Sequence, residues 1–325
     1  MSRLPALFLI VFAALAADQT DTSVQYHHVL TFGSKLGIHP PKVLNRRAAT
    51  LALGQGEHPY GLAFPVGVAT DLRNRVWITD SGTLSVHVFD MSSGSYREFR
   101  RVDNIPFQMP SGIVADRAGR MYVVDSAIGN VFVFDENGEY DRPLIPLRAA
   151  RLLEGPTAIA LSEDGATIFV ADPPKSVVVA LNREGEALET FPLPPEMNGA
   201  SGMSVVNNQI YVLGQIQHRV EAFSPAGKLR GEIRWDGIRA PTAFAWDAAH
   251  HRFLVANPRI MAVELINEDG QGLGAFGSLG DGIDQMRHIE GIYLDARGQV
   301  YVVDSHEGKV LVFAQNRVAS KPEVF

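Results

Sequence analysis

The chain has 325 residues, long enough for two average domains or for one large all-β domain. Its formal net charge is −7 and it holds no run of Lys or Arg, which excludes a nucleic-acid partner held by phosphate contacts. It has no cysteine, which excludes disulfide staples and a lipid attached through a thiol.

Residues 1–17 read as a signal peptide. Arg3 gives the positive start, residues 4–15 are an apolar run too short to span a bilayer comfortably, and Ala14-Leu-Ala16 offers small residues for cleavage. An uncleaved anchor is the other reading of the same residues. Cleavage would leave no membrane span and an exported protein, in a bacterial periplasm or outside the cell.

Residues 18–63 comprise a short lead, a weakly alternating strand over 24–32, and a long connection. His27 and His28 are expected in that strand, as structural residues. A short helix is expected over 42–53, with Val43, Leu44, Ala48 and Leu51 toward one side. Connections this long in a compact domain are usually functional or disordered. This insert and a second one at 146–154 are expected on one face, where they either shape a binding site or plug it.

From residue 64 one unit repeats. Met121-Tyr-Val-Val-Asp125 and Val131-Phe-Val-Phe-Asp135 are short, apolar, β-branched and aromatic runs bounded by Asp, Asn and Gly, the pattern of strands buried on both faces. Asn137-Gly138 is expected to supply the positive φ angles of a tight hairpin. The second-strand pattern starts again at 76, 121, 168, 210, 253 and 300, a step of 42 to 47 residues. Each is preceded by an inner-strand pattern with small residues at its centre, as in Pro65-Val-Gly-Val, Pro110-Ser-Gly-Ile and Glu290-Gly-Ile. A four-strand unit at that period is the mark of propeller blades. The last unit holds only three strands, so residues 24–32 are expected to add the fourth and close the ring.

Pro-x-Gly-Ile/Val-x-x-Asp, Tyr-Val-x-Asp-Ser and Val-x-Val-Phe, with the segment from Phe276 to Gly291, resemble the NHL repeat. The resemblance covers 64–314, is best in blades one, two and six, and is poorest in blade four, where Gly214 stands for the Asp and no Pro precedes Gly202. It implies an all-β, six-bladed β-propeller of four-stranded antiparallel blades. It implies little about chemistry, because NHL propellers are mostly binding platforms with varied partners. Residues 315–325 are left as a tail.

Asp80, Asp125, Asp172 and Asp304 end second strands. They recur with the blade, so they are expected to accept backbone N–H bonds in the following loop rather than to catalyse. Asp71, Asp116, Asp164 and Asp295 read as turn residues by the same reasoning. A more distinctive set enters inner strands (Arg239, Arg287, His288, Glu290) or lies in second-to-third-strand loops (Arg259, His306, Glu307). All are expected on one face. Arg suits bidentate capture of carboxylate or phosphate, so an anionic ligand near blades five and six is one expectation and a solvated rim the other. His288, Glu290 and His306 also have the ligand chemistry of a divalent-metal site, with His58 next round the ring, but no two share a compact motif spacing. Glu154-Gly155-Pro156 resembles the opening Glu-Gly-Pro of the gluconolactonase and senescence-marker propellers, which bind a metal at the axis; their companion Asn and Asp motifs are not found in this chain.

The expected function is an exported NHL-type platform for a protein or a small extracellular ligand, with no cofactor and no catalytic residue assigned. The alternative is a metal-dependent hydrolase, lactonase or lyase that uses the axial mouth, with His288, Glu290, His306 and Glu154 as ligands. The oligomeric state is not legible.

Overall fold

A computed structural model describes residues 26–33, 61–148, 151–195, 197, 200–214, 219–234, 238, 240–282 and 284–315. These residues form six four-stranded antiparallel sheets arranged as the blades of a propeller. Blade one runs from its inner strand Pro65–Thr70 through Arg75–Asp80 and Ser85–Asp90 to Tyr96–Phe99. Blade two repeats this order over Pro110–Ala115, Met121–Asp125, Asn130–Phe134 and Tyr140–Pro143. Blade six takes three strands from the end of the chain and its outer strand, Tyr26–Gly33, from the beginning. That strand runs antiparallel to Lys309–Gln315, with Phe32 opposite Val310 and His28 opposite Phe313. The closing strand thus removes the open edge that a linear array of blades would leave. The expected helix over 42–53 and the segment 1–17 lie outside the described residues. Among the described residues no helix is long and apolar enough to cross a membrane.

The apolar runs form strands because each sheet is covered on both faces by its neighbours. Every residue of Arg75–Asp80, Met121–Asp125, Ile168–Asp172 and Val300–Asp304 is buried. The core therefore lies between blades. Trp77, Val86 and Val88 of blade one pack with Met121, Val123, Phe132 and Phe134 of blade two. Leu30 and Phe32 of the closing strand join Val303 and Val310 of blade six and Val76 and Ile78 of blade one. Burying each such side chain contributes roughly 1.5–3 kcal/mol.

One expectation about the turns needs correction. At Asp135–Gly138 the left-handed conformation falls on Gly138 alone (φ +81°), not on Asn137 as well. The turn is longer than a two-residue hairpin and is held by Asp135, whose Oδ1 accepts from the backbone of Asn137 at 2.9 Å and of Glu139 at 2.8 Å. The strand register shifts there, between Val133 and Phe134.

The second-strand aspartates do more than cap the following loop. Asp125 accepts from the backbone N–H of Ile128 in that loop (3.0 Å), but also from Gln108 (2.8 Å) and Met109 (3.1 Å), just before the inner strand of its own blade. Asp80 binds Ala63, Phe64, Gly82 and Thr83 in the same way, Asp172 binds Glu154 and Gly155, and Asp304 binds Arg287, His288 and Glu307. All four carboxylates are fully buried. Asn257 holds this place in blade five, where it accepts from Arg259 N at 3.0 Å.

Hydrogen bonds to a charged group are worth about 1.5–3 kcal/mol each, and a buried donor left unpaired costs more. Asp125→Ala strands three backbone donors and is expected to lower unfolding stability by at least about 3 kcal/mol. Asp125→Asn keeps one acceptor oxygen and should lose roughly half of that. A urea midpoint that falls at unchanged slope is the readout; an unchanged midpoint in Asp125→Ala would remove this role.

Candidate functional site

The inner strands converge on the axis and line a cavity of about 390 Å³ that opens on the face carrying the strand-entry segments. Its wall is layered, one residue per blade in each layer. At the mouth lie Val66, Ser111, Thr157, Ser201, Thr242 and Glu290. Next come small residues: Gly67, Gly112, Ala158, Gly202, Ala243 and Gly291. Glycine is required where neighbouring strands touch: a Cβ on Gly112 would meet Thr157 O at 2.6 Å, and one on Gly291 would meet Val66 O at 2.6 Å. Below them Val68, Ile113, Ile159, Met203, Phe244 and Ile292 form an apolar ring. The same ring caps a second cavity of about 380 Å³, which opens at the opposite end past Arg117, Glu163, Trp246 and Tyr293.

The hydroxyls of the mouth layer stitch blade to blade. Thr157 Oγ1 donates to Ala200 O at 2.9 Å, and Thr242 Oγ1 donates to Ile289 O. In blade two the link runs through Ser111 and Ser126, whose hydroxyl donates to Pro156 O at 2.6 Å. Ser201 breaks the pattern: its Oγ is buried and has no hydrogen-bond partner among the described residues. Glu290 breaks it differently. It is the one ionisable side chain among the described residues that line this cavity. Its carboxylate lies 3.2 Å from His288 Nε2 and 3.5 Å from Ser305 Oγ, and its side chain is 27% exposed. At the mouth beside blades one and two, Phe64 and Met109 stand 43% and 50% exposed.

The sequence-derived candidates are distributed unevenly about this cavity. Glu290 lines it, with His288 beside it. Arg287 turns to acidic partners: its guanidinium bonds both carboxylate oxygens of Asp281 and lies 3.6 Å from Glu307. The carboxylate of Asp281 raises the pKa of Arg287 further, and Arg287 in turn lowers that of Asp281. His306 Nδ1 lies 2.9 Å from Glu307. Arg259 is exposed on the blade-five loop and Glu154 is exposed at the entry to blade three; neither lines the cavity. Arg239 and His58 lie outside the described residues. Within 146–154, Leu153 is fully buried between blades two and three, and none of its described residues lines the cavity. Among the described residues no three His, Asp or Glu side chains converge as a metal site would require.

Sequence reasoning did not single out Phe64, Met109 or Ser201. The signal for the mouth was the residue just before the central small residue, Gly or Ala, of each inner strand. Aligned, it reads Val, Ser, Thr, Ser, Thr, Glu, and the odd member is Glu290.

Behind this mouth sits a buried histidine. His87 is 2% exposed, in the blade-one strand next to the one that ends at Asp80. Its Nε2 lies 3.0 Å from the hydroxyls of Thr83 and Ser85 and 3.7 Å from Asp80; its Nδ1 lies 2.8 Å from Tyr96 OH. Burial lowers its pKa below 6.5, and the nearby Asp80 offsets only part of that. The folded chain therefore binds the proton less readily than the unfolded one, so stability should fall as pH drops below the ordinary histidine range. His28 is depressed by burial too and supplies part of the same slope. His87→Gln should flatten the loss of urea midpoint between about pH 7.5 and about pH 5.5; a slope equal to that of the native chain would show that His87 does not titrate in unfolding.

No family model and no curated protein matches this chain. Solved structures resemble it in fold. A protein of unknown function from Bacteroides thetaiotaomicron superposes with a TM-score of 0.65 at 13% identity, over 90% of this chain and 76% of its own. Virginiamycin B lyase from Staphylococcus aureus does so with TM-scores of 0.60 and 0.55 in two structures, at 11% and 12% identity, over 78% and 80% of this chain and 96% and 98% of its own. The second of these is a catalytically inactive variant with quinupristin. A chain of the nidogen–laminin complex gives 0.55 at 16% identity, over 68% of this chain and 83% of its own. At such identities the likeness establishes the fold alone.

Proposed function

We propose that this chain is an exported NHL-type propeller that binds a small extracellular ligand in the upper axial cavity and does not transform it. One observation carries the reading: a cavity of about 390 Å³ with an apolar floor, a few polar groups and an exposed apolar lip. That volume and that mixture of walls are typical of small-molecule sites. A rigid ring holds the strand-entry segments in place, which suits a scaffold for recognition.

The test is a fragment screen by NMR with methyl labels on Ile113, Ile159, Met203 and Ile292. Fragments that bind are expected to shift these axial methyls. Hits that perturb only outer strands or interblade surfaces would overturn the assignment.

A second reading has support of its own. His288 and Glu290, 3.2 Å apart at the mouth, are side chains of the kinds that carry proton transfer, and virginiamycin B lyase shares the fold. In that reading the chain is a lyase. Quinupristin, which one lyase structure contains, is then the substrate to try, followed by mass spectrometry. Conversion that His288→Ala abolishes would establish the enzyme; unconverted quinupristin, with the axial methyls still responding to fragments, favours the binding protein.

A further inference from the structure

We infer that the ligand of the upper axial cavity is an amphiphilic amine. Its ammonium group pairs with Glu290, and its apolar body lies against the ring of Val68, Ile113, Ile159, Met203, Phe244 and Ile292. The inference deepens the binding reading above and rests on it.

Charge is the first argument. Glu290 is the only charged group among the described residues lining the cavity, and it replaces a small aliphatic or hydroxyl residue found at this layer in the other five blades. Among the described residues no arginine or lysine lines the cavity to receive an anion. Arg287, the nearest cation in sequence, is bonded to Asp281 and faces Glu307 instead. An anionic ligand would meet repulsion from the Glu290 carboxylate at the mouth.

Desolvation is the second argument. A ligand filling the cavity strips water from a carboxylate that is now 27% exposed. Removing water from a charge is costly unless a countercharge or donors replace it. The protein places the His288 imidazole 3.2 Å from Oε2 and supplies one hydroxyl bond to the same oxygen, from Ser305 at 3.5 Å. One hydroxyl and one ring nitrogen, both on Oε2, leave the other carboxylate oxygen without a protein donor among the described residues. A protonated amine brings both charge and donors, and charge-assisted bonds of this kind are the stronger class.

The third argument is the vacant hydroxyl. Ser201 Oγ, in the same layer as Glu290, is buried without a partner among the described residues, whereas the equivalent Thr157 and Thr242 are engaged with the next strand. Rotation about the Cα–Cβ bond of Ser201, which lines the cavity, would turn this unused hydroxyl toward a ligand as an acceptor for a second N–H. Below this layer every described wall residue is apolar or glycine, so the rest of the ligand must be apolar.

The test uses three matched probes, n-hexylammonium, 1-hexanol and hexanoate, titrated into the full chain and read on the axial methyl signals. Hexylammonium should bind about ten times more tightly than hexanol, an advantage of about 1.4 kcal/mol, and hexanoate should bind most weakly. Glu290→Gln should erase the preference for the amine while hexanol binds as before, which also reports that the variant is folded. Equal binding of hexylammonium and hexanol, or a preference that survives Glu290→Gln, would overturn the amine while leaving the cavity as a ligand site. If none of the three shifts the axial methyls, the inference and the cavity reading fall together.

Discussion

A buried carboxylate that must be satisfied organises the upper face of this propeller. Asp80, Asp125, Asp172 and Asp304 end their strands in the dry space between blades. A charge there is tolerable only if fixed donors replace water. The donors are backbone N–H groups of the segment entering the inner strand. One interaction therefore ties down the start of the inner strand in four of the six blades. It also sets the residues around that start: Phe64 and Met109 at the lip, His288 beside Glu290.

The same repetition explains why the site is so local. Four strands per blade are specified by apolar packing that tolerates little change. At the mouth layer the side chain differs from blade to blade, because it borders the cavity as well as the neighbouring inner strand. Where five blades place Val, Ser or Thr, blade six places Glu. A similar liberty appears in the third strands, where His87 of blade one stands in the place of Phe132 in blade two and Val179 in blade three. The same fold occurs in virginiamycin B lyase and in the nidogen–laminin complex.

Much of the scaffold was legible before any coordinates. Runs such as Met121-Tyr-Val-Val and Val131-Phe-Val-Phe declare strands buried on both faces through side-chain type alone. Their recurrence declares blades, and the missing fourth strand of the last blade declares closure by 24–32, which the pairing of Tyr26–Gly33 with Lys309–Gln315 bears out. The turn at Asn137 was misread because the choice between a two-residue hairpin and a longer Asp-held turn depends on the strand register beyond it. The site was legible only in part. Glu290 and His288 drew notice as part of a cluster of ionisable residues at the strand entries and loops of blades five and six. Nothing local marks Phe64, Met109 or Ser201, which look like ordinary loop and strand residues.

The sequence by itself determined the blade, the number of blades and the closing strand, because these follow from local hydrophobic pattern and from its period. The tertiary structure alone decided which side chains share a space. Residues of the axial ring, from Val68 to Ile292, meet only when all the inner strands converge, and no pairwise spacing encodes that meeting. It also decided which charges are spoken for: Arg287 looks like a free cation in the chain, yet Asp281 and Glu307 lie against it once the blade is folded. Charge pairing of this kind depends on distance across loops, which falls outside what a one-dimensional pattern records.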